Sequence, residues 1–142
     1  MTYQIIIDGR PHGKQRPRFA RKGGRVYTPK PTLDYEAMVA ALFRDAMPEP
    51  LDGPICLSIY AHFKVAKSWS AKKKDDLIFT PHLQTPDLDN VAKAISDAAN
   101  GIAFKDDSQI AHLVCKKVWS HTDQTLVTIR QFNNFNIGRD DV

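Results

Sequence analysis

The apolar positions of this chain fall into blocks whose spacing predicts an order of elements. Residues 3–8 hold a β-branched run, Ile5-Ile6-Ile7, that reads as a strand broken by Asp8-Gly9. Further on, Tyr35, Met38, Val39, Leu42 and Phe43 recur at helical spacing. Thr32 is the expected N-cap of that helix, Glu36 favours its dipole, and Pro48-Glu49-Pro50 ends it after about Met47. Residues 54–64 alternate, with Ile55, Leu57, Ile59, Ala61 and Phe63 on one face and Ser58, Tyr60 and His62 on the other, the pattern of a half-buried strand. A short helix is expected over residues 68–78, capped by Ser68 or Ser70, with Lys72-Lys73-Lys74 on its surface. His82 to Pro86 should be extended, because Pro86 disfavours helical geometry at Thr85. A second long helix follows from about Leu88 to Asn100, ended by Asn100-Gly101. Gln109–Trp119 and Gln124–Gln131 alternate like two strands of a hairpin joined through Ser120-His121-Thr122-Asp123. The tail, residues 133–142, is polar and expected to be loose.

Between residues 9 and 31 no period survives, and four of the seven glycines and four of the nine prolines lie there. This is a long arm, with a short hairpin expected around Gly23-Gly24; arms of this length in small domains are usually functional. The order β, arm, α, β, minor α, α, β, β predicts an α+β fold, a two-layer domain with a mixed β-sheet packed against two main α-helices. A length of 142 residues allows one such domain with a real core.

Charge changes the picture more than composition does. Arg10, Lys14, Arg16, Arg18, Arg21, Lys22, Arg25 and Lys30 fall between Asp8 and Asp34 with no acid among them, whereas the whole chain carries only +4. The arm alone therefore makes the protein basic, and segregation of this kind suggests a polyanionic partner. Phe19 and Tyr27 are interleaved with the cations, as in surfaces that track phosphates and stack unpaired bases. Lys14, Arg16, Arg18, Arg21, Lys22 and Arg25 are the candidate DNA-binding residues. No apolar run is long enough to span a bilayer, and the N-terminus lacks the pattern of a signal peptide, so a cytoplasmic setting without membrane association is expected. Cys56 and Cys115 lie in apolar strand-like runs, and a reduced buried pair or a disulfide both fit that pattern. The five histidines are scattered without ligand spacing, and no glycine-rich phosphate loop or nucleophilic triad is present.

Against this basic background stands an acidic cluster: Asp87-Leu88-Asp89-Asn90, then Lys93 and Asp97, then Lys105-Asp106-Asp107-Ser108-Gln109. On a helix starting near Asp87, Asp89, Lys93 and Asp97 share one side, while Val91, Ala94, Ile95, Ala98 and Ile102 form the buried one. Two readings fit that spacing. In the first, the loop with Asp106 and Asp107 folds back beside the 87–89 turn and the carboxylates hold Mg²⁺, which prefers a few oxygen ligands and keeps several waters. Such an ion polarises a phosphoryl oxygen and lowers the pKa of water, and Lys93 stabilises charge on the reacting phosphate. In the second, Asp87 is an N-cap, Asp89–Lys93–Asp97 a solvated charge ladder and Asp106-Asp107 a turn.

The run Pro86-Asp87-Leu88-Asp89-Asn90-Val91-Ala92-Lys93-Ala94-Ile95-Ser96-Asp97-Ala98, followed by Gly101 and Lys105-Asp106-Asp107-Ser108-Gln109-Ile110, resembles the signature of the RusA family of Holliday-junction resolvases. Gly13-Lys14-Gln15-Arg16-Pro17-Arg18 with Tyr27-Thr28-Pro29 resembles the arm of its phage- and prophage-type members. The resemblance implies a RusA-like fold and a homodimeric, Mg²⁺-dependent endonuclease, with Mn²⁺ as a substitute, that cuts four-way DNA junctions in recombination and repair. It implies no organic cofactor. Carried over, the family's catalytic and metal-binding carboxylates fall on Asp87, Asp89 and Asp107, and its catalytic lysine on Lys93. Asp97 and Asp106 match acidic positions of less direct role. One departure is evident: some members place arginines directly before the Asp-x-Asp, whereas this chain has His82-Leu83-Gln84-Thr85-Pro86. Phosphate binding must then come from the arm or from Lys72–Lys74. The alternative function is a non-catalytic nucleic-acid-binding protein whose acids are structural. A phosphohydrolase of small molecules is disfavoured, because it leaves the arm without a role.

Overall fold

The computed structural model describes residues 1–131, so the expected loose tail lies outside the described residues. Strand β1 (Thr2–Asp8) leads into the arm, which carries a two-residue pair, β2 (Arg18–Phe19) and β3 (Val26–Tyr27). Helix α1 (Lys30–Ala46), strand β4 (Ile55–Lys64), helix α2 (Ala71–Leu77) and helix α3 (Leu88–Ala99) follow. A one-turn 3-10 helix (Asp107–Gln109) then opens β5 (Ile110–Ser120), and β6 (Gln124–Gln131) closes the described chain. The result is the expected α+β architecture: a mixed four-stranded sheet in the order β1-β6-β4-β5, with α1 and α3 packed together on one face.

Two expectations are corrected. The strands β5 and β6 do not form a hairpin. Strand β4 lies between them, parallel to β5 and antiparallel to β6. The link His121-Thr122-Asp123 instead passes the end of β4, where the Lys64 amide donates to the Asp123 carboxylate at 2.8 Å and the Val65 amide to the Ser120 carbonyl at 3.0 Å. Burial fits the insertion: Ile55, Leu57, Ile59, Ala61 and Phe63 of β4 are all wholly buried, as suits a strand paired on both edges. The second correction is at α1. The helix begins at Lys30, because Pro31 is pre-organised for the first turn, and Thr32 is inside it rather than at its cap.

The core is one layer between that sheet face and the helices. Ile5, Ile7, Leu57, Ile59, Phe63, Val127 and Ile129 meet Val39 and Phe43 of α1 and Val91 and Ile95 of α3. Met38, though in register with the apolar face of α1, remains exposed. The buried side of α3 is rich in alanine (Ala92, Ala94, Ala98 and Ala99), so the helix approaches its neighbours closely. Cys56 and Cys115 are both free. A bridge between them is excluded by the sheet: Cys56 is in register with His112 and Cys115 with Ile59, so the two thiols point to opposite faces.

Candidate active site

Three elements build the site: the arm, the N-terminus of α3 and the segment that enters it. Asp87 occupies the N-cap position of α3, yet its side chain makes no capping bond to the helix. Asp89 is in the first turn, where the dipole favours negative charge. Both are exposed and, among the described residues, neither forms an ion pair.

The remaining carboxylates are engaged. Asp97 lies 2.8 Å from the Lys14 ammonium and 3.6 Å from that of Lys93. Asp106 caps the 3-10 turn: its side chain accepts from the Ser108 amide at 3.1 Å, and the Gln109 side chain accepts from the Asp106 amide in return; the Ser108 side chain first, then its amide, lower the Asp106 pKa. Gln109 also donates to the carbonyls of Leu51 and Gly53, so this turn is fastened to the start of β4. Asp107, next to that cap, is exposed and unpaired among the described residues.

The arm is docked on α3. Gly13 approaches so closely that a Cβ there would lie 2.6 Å from Pro86 Cβ and 3.4 Å from Asn90 Cβ, which requires glycine. The Lys14 amide donates to the Asn90 carbonyl at 2.9 Å, and its ammonium bridges Glu36 of α1 at 2.7 Å and Asp97 of α3. Burial alone would lower the Lys14 pKa, but its bonds to Asp97 and Glu36 outweigh that and raise it. Thr32 completes the anchor: its hydroxyl accepts from the Gln15 amide, donates to the Gln15 side chain and lies 3.0 Å from His12 Nε2. Lys14, expected among the DNA-binding cations, is thus placed as a half-buried latch. Arg16, Arg18, Arg21, Lys22 and Arg25 are exposed and make no ion pair among the described residues. Gly23 and Gly24, both at positive φ, turn the expected hairpin, which displays Phe19 and Tyr27.

The entering segment is held from below. Lys117 of β5 donates to the carbonyls of Gln84 at 2.7 Å and Pro86 at 2.8 Å, and Arg10 donates to that of Thr85 at 3.3 Å. His82 is buried, stacked on Phe63 at 3.7 Å and edge-on to Trp119. Burial, aided by the nearby charges of Lys117 and Arg10, lowers its pKa to about 4 and keeps it neutral. Trp69, just before α2, meets the core residue Trp119 at 4.9 Å. Of the lysine triplet, Lys73 lies over the Trp69 ring. Sequence reasoning passed over Lys117 and counted Arg10 only among the charges of the arm. The signal available was a lysine in the core-face phase of β5, between Cys115 and Trp119, where an apolar residue is expected.

Asp107 is not brought beside Asp87 and Asp89 within one chain. The start of α3 lies over the middle of β5, with the Cys115 thiol 3.9 Å from the Leu88 carbonyl, whereas its end turns into the Asp107–Gln109 helix that begins β5. A 12-residue helix is about 18 Å long. Accordingly, no three His, Cys, Asp or Glu side chains come together as a metal cage among the described residues.

Residues 8–130 match the family described as Endodeoxyribonuclease RusA. This chain belongs to the RusA endodeoxyribonuclease family. It is also 31% identical over 139 residues to the protein named Uncharacterized protein YqaN of Bacillus subtilis (strain 168), covering 90% of this chain and 95% of that protein. The RusA match spans the arm, α3 and the Asp107 turn. Among the described residues, no helix is long and apolar enough to cross a membrane.

Proposed function

We propose that this RusA-family protein is a Mg²⁺-dependent endonuclease that resolves four-way DNA junctions as a homodimer, serving DNA recombination and repair in the cytoplasm. The observation that carries the reading is the docking of the basic arm on the residues that present Asp87 and Asp89. It explains how a polyanion approaches exposed carboxylates that would otherwise repel it.

The donor chemistry suits the ion. Asp87 and Asp89 offer unpaired carboxylate oxygens at one helix end, and magnesium needs only one or two carboxylates beside substrate oxygens and waters. When bound, Mg²⁺ supplies Lewis-acid polarisation of the scissile phosphate and acidifies water. Mn²⁺, with the same preference for oxygen, is the expected substitute, and no organic cofactor is required. The chain supplies the rest. Lys93, one turn after Asp89 and 60% exposed, offers a cation to the charge that develops on the phosphate. The hairpin binds flanking phosphates through Arg16, Arg18, Arg21, Lys22 and Arg25, and offers Phe19 and Tyr27 to unpaired bases at the branch.

Asp107 supports the dimer. Asp107 sits in the 3-10 helix that follows α3, and in this reading a second copy contributes it to Asp87 and Asp89. Strand β5 is an end strand of the sheet, with the Pro81–Val118 bridge against its C-terminal part. A dyad across that edge runs the two β5 strands antiparallel and carries Asp107 of each copy toward α3 of the other. The same dyad matches the two-fold symmetry of a junction. Junction cleavage with Mg²⁺, with EDTA and with Asp89→Asn tests the reading: Mg²⁺-dependent paired cuts by wild type and none by the variant are expected. Cleavage by Asp89→Asn at the wild-type rate would sink the catalytic assignment, and binding without cutting would favour a non-catalytic DNA-binding protein.

A further inference from the structure

We infer that Lys117 is a positioning residue for Asp87 and Asp89, an assignment that rests on reading those two carboxylates as the metal-binding pair. The segment between the Pro81–Val118 bridge and α3 has no ladder of its own, and its carbonyls need donors. Lys117 meets two of them, Gln84 and Pro86, with one ammonium at 2.7 and 2.8 Å. Charge-assisted bonds of this length are the strong kind, and the pair brackets Thr85-Pro86 immediately before Asp87. Room for the side chain comes from its neighbour in the sheet: Lys117 is in register with Ala61, wholly buried and the smallest side chain on that face of β4. Its side chain is half-buried, and its ammonium is engaged by the backbone that enters α3. Lys117 therefore acts through the backbone of residues 84–86, setting the point from which Asp87 and Asp89 leave the helix, rather than by touching DNA.

The substitution Lys117→Met keeps the stem and removes the donors. Outer-shell partners of metal ligands typically change affinity or activity about 10- to 100-fold when removed. We expect Mn²⁺ affinity, measured by titration calorimetry on the full chain, to fall about tenfold, kcat for junction cleavage to fall at least as much, and KM for the junction to stay within about twofold. Lys117→Arg, which retains the charge with a different fork, should recover part of the Mn²⁺ affinity. Amide hydrogen exchange at Val91 and Ala92 should quicken in Lys117→Met, a readout that requires no activity. Mn²⁺ affinity and exchange both unchanged would overturn the inference, as would a loss confined to DNA binding. If Lys117→Met fails to fold, Lys117→Arg against wild type decides by the same measurements. Asp89→Asn separates the underlying reading: wild-type Mn²⁺ affinity in that variant would overturn the metal site itself, whatever Lys117 does to amide exchange.

Discussion

The ammonium of Lys14 lies 2.8 Å from the carboxylate of Asp97, and so a residue of the basic arm is tied to the helix that bears the acidic site. Glu36 completes the cluster from α1, and all three side chains are largely sheltered from solvent. A cation held between two such carboxylates stabilises the arm's position, and removing it leaves like charges facing each other.

Replacing Lys14 by Met should therefore destabilise the fold by about 2 kcal/mol, the scale of a partly buried charged hydrogen-bond pair. Urea unfolding measures this, and limited proteolysis within residues 16–28 should accelerate in parallel. If stability and proteolysis both match wild type, Lys14 is no latch.

The hairpin arginines should behave in the opposite way. Arg16→Ala with Arg18→Ala should leave the urea midpoint nearly unchanged, since both side chains are exposed and lack ion pairs among the described residues. Junction binding should weaken, and the slope of log K against log salt should shrink by about two, one unit for each phosphate that is no longer neutralised. An unaltered slope would remove these residues from the DNA interface.

A shared site makes a complementation prediction. Asp89→Asn and Asp107→Asn should each abolish cutting alone. Mixed dimers contain one site built from two wild-type contributions if Asp107 acts on the partner's site, and none if it acts on its own. Recovered nicking in refolded mixtures is the expected result, and an inactive mixture would place all three carboxylates of a site in one chain.

Stability should depend on pH through His82. Its folded pKa, about 4, lies below the unfolded value of 6.5, so the unfolded chain binds the extra proton across that interval. Stability should thus be fully present above pH 6.5 and decline as pH falls toward 4, by up to about 3 kcal/mol from this group. His82→Phe retains a ring between Phe63 and Trp119 and should flatten that part of the profile, measured by urea unfolding at fixed pH steps.

By itself the sequence determined what depends on neighbours along the chain. Period two in Ile55-Leu57-Ile59-Ala61-Phe63 identified a buried strand face, helical spacing placed α3, and Gly23-Gly24 marked the hairpin, because each is a local geometric rule. The acid-free arm and the Asp87-Leu88-Asp89 run were equally visible, since charge is carried by residue type. Tertiary structure alone decided which partner each group meets. Alternation is the same in β5 and β6 whether they pair with each other or with β4, so only the pairing of β4 on both edges set the order. Asp97 and Asp106 are indistinguishable from Asp87 and Asp107 as letters. They differ because Lys14 and the Ser108 amide reach the first two, while Asp87 at the start of α3 and Asp107 in the 3-10 helix before β5 form no ion pair among the described residues.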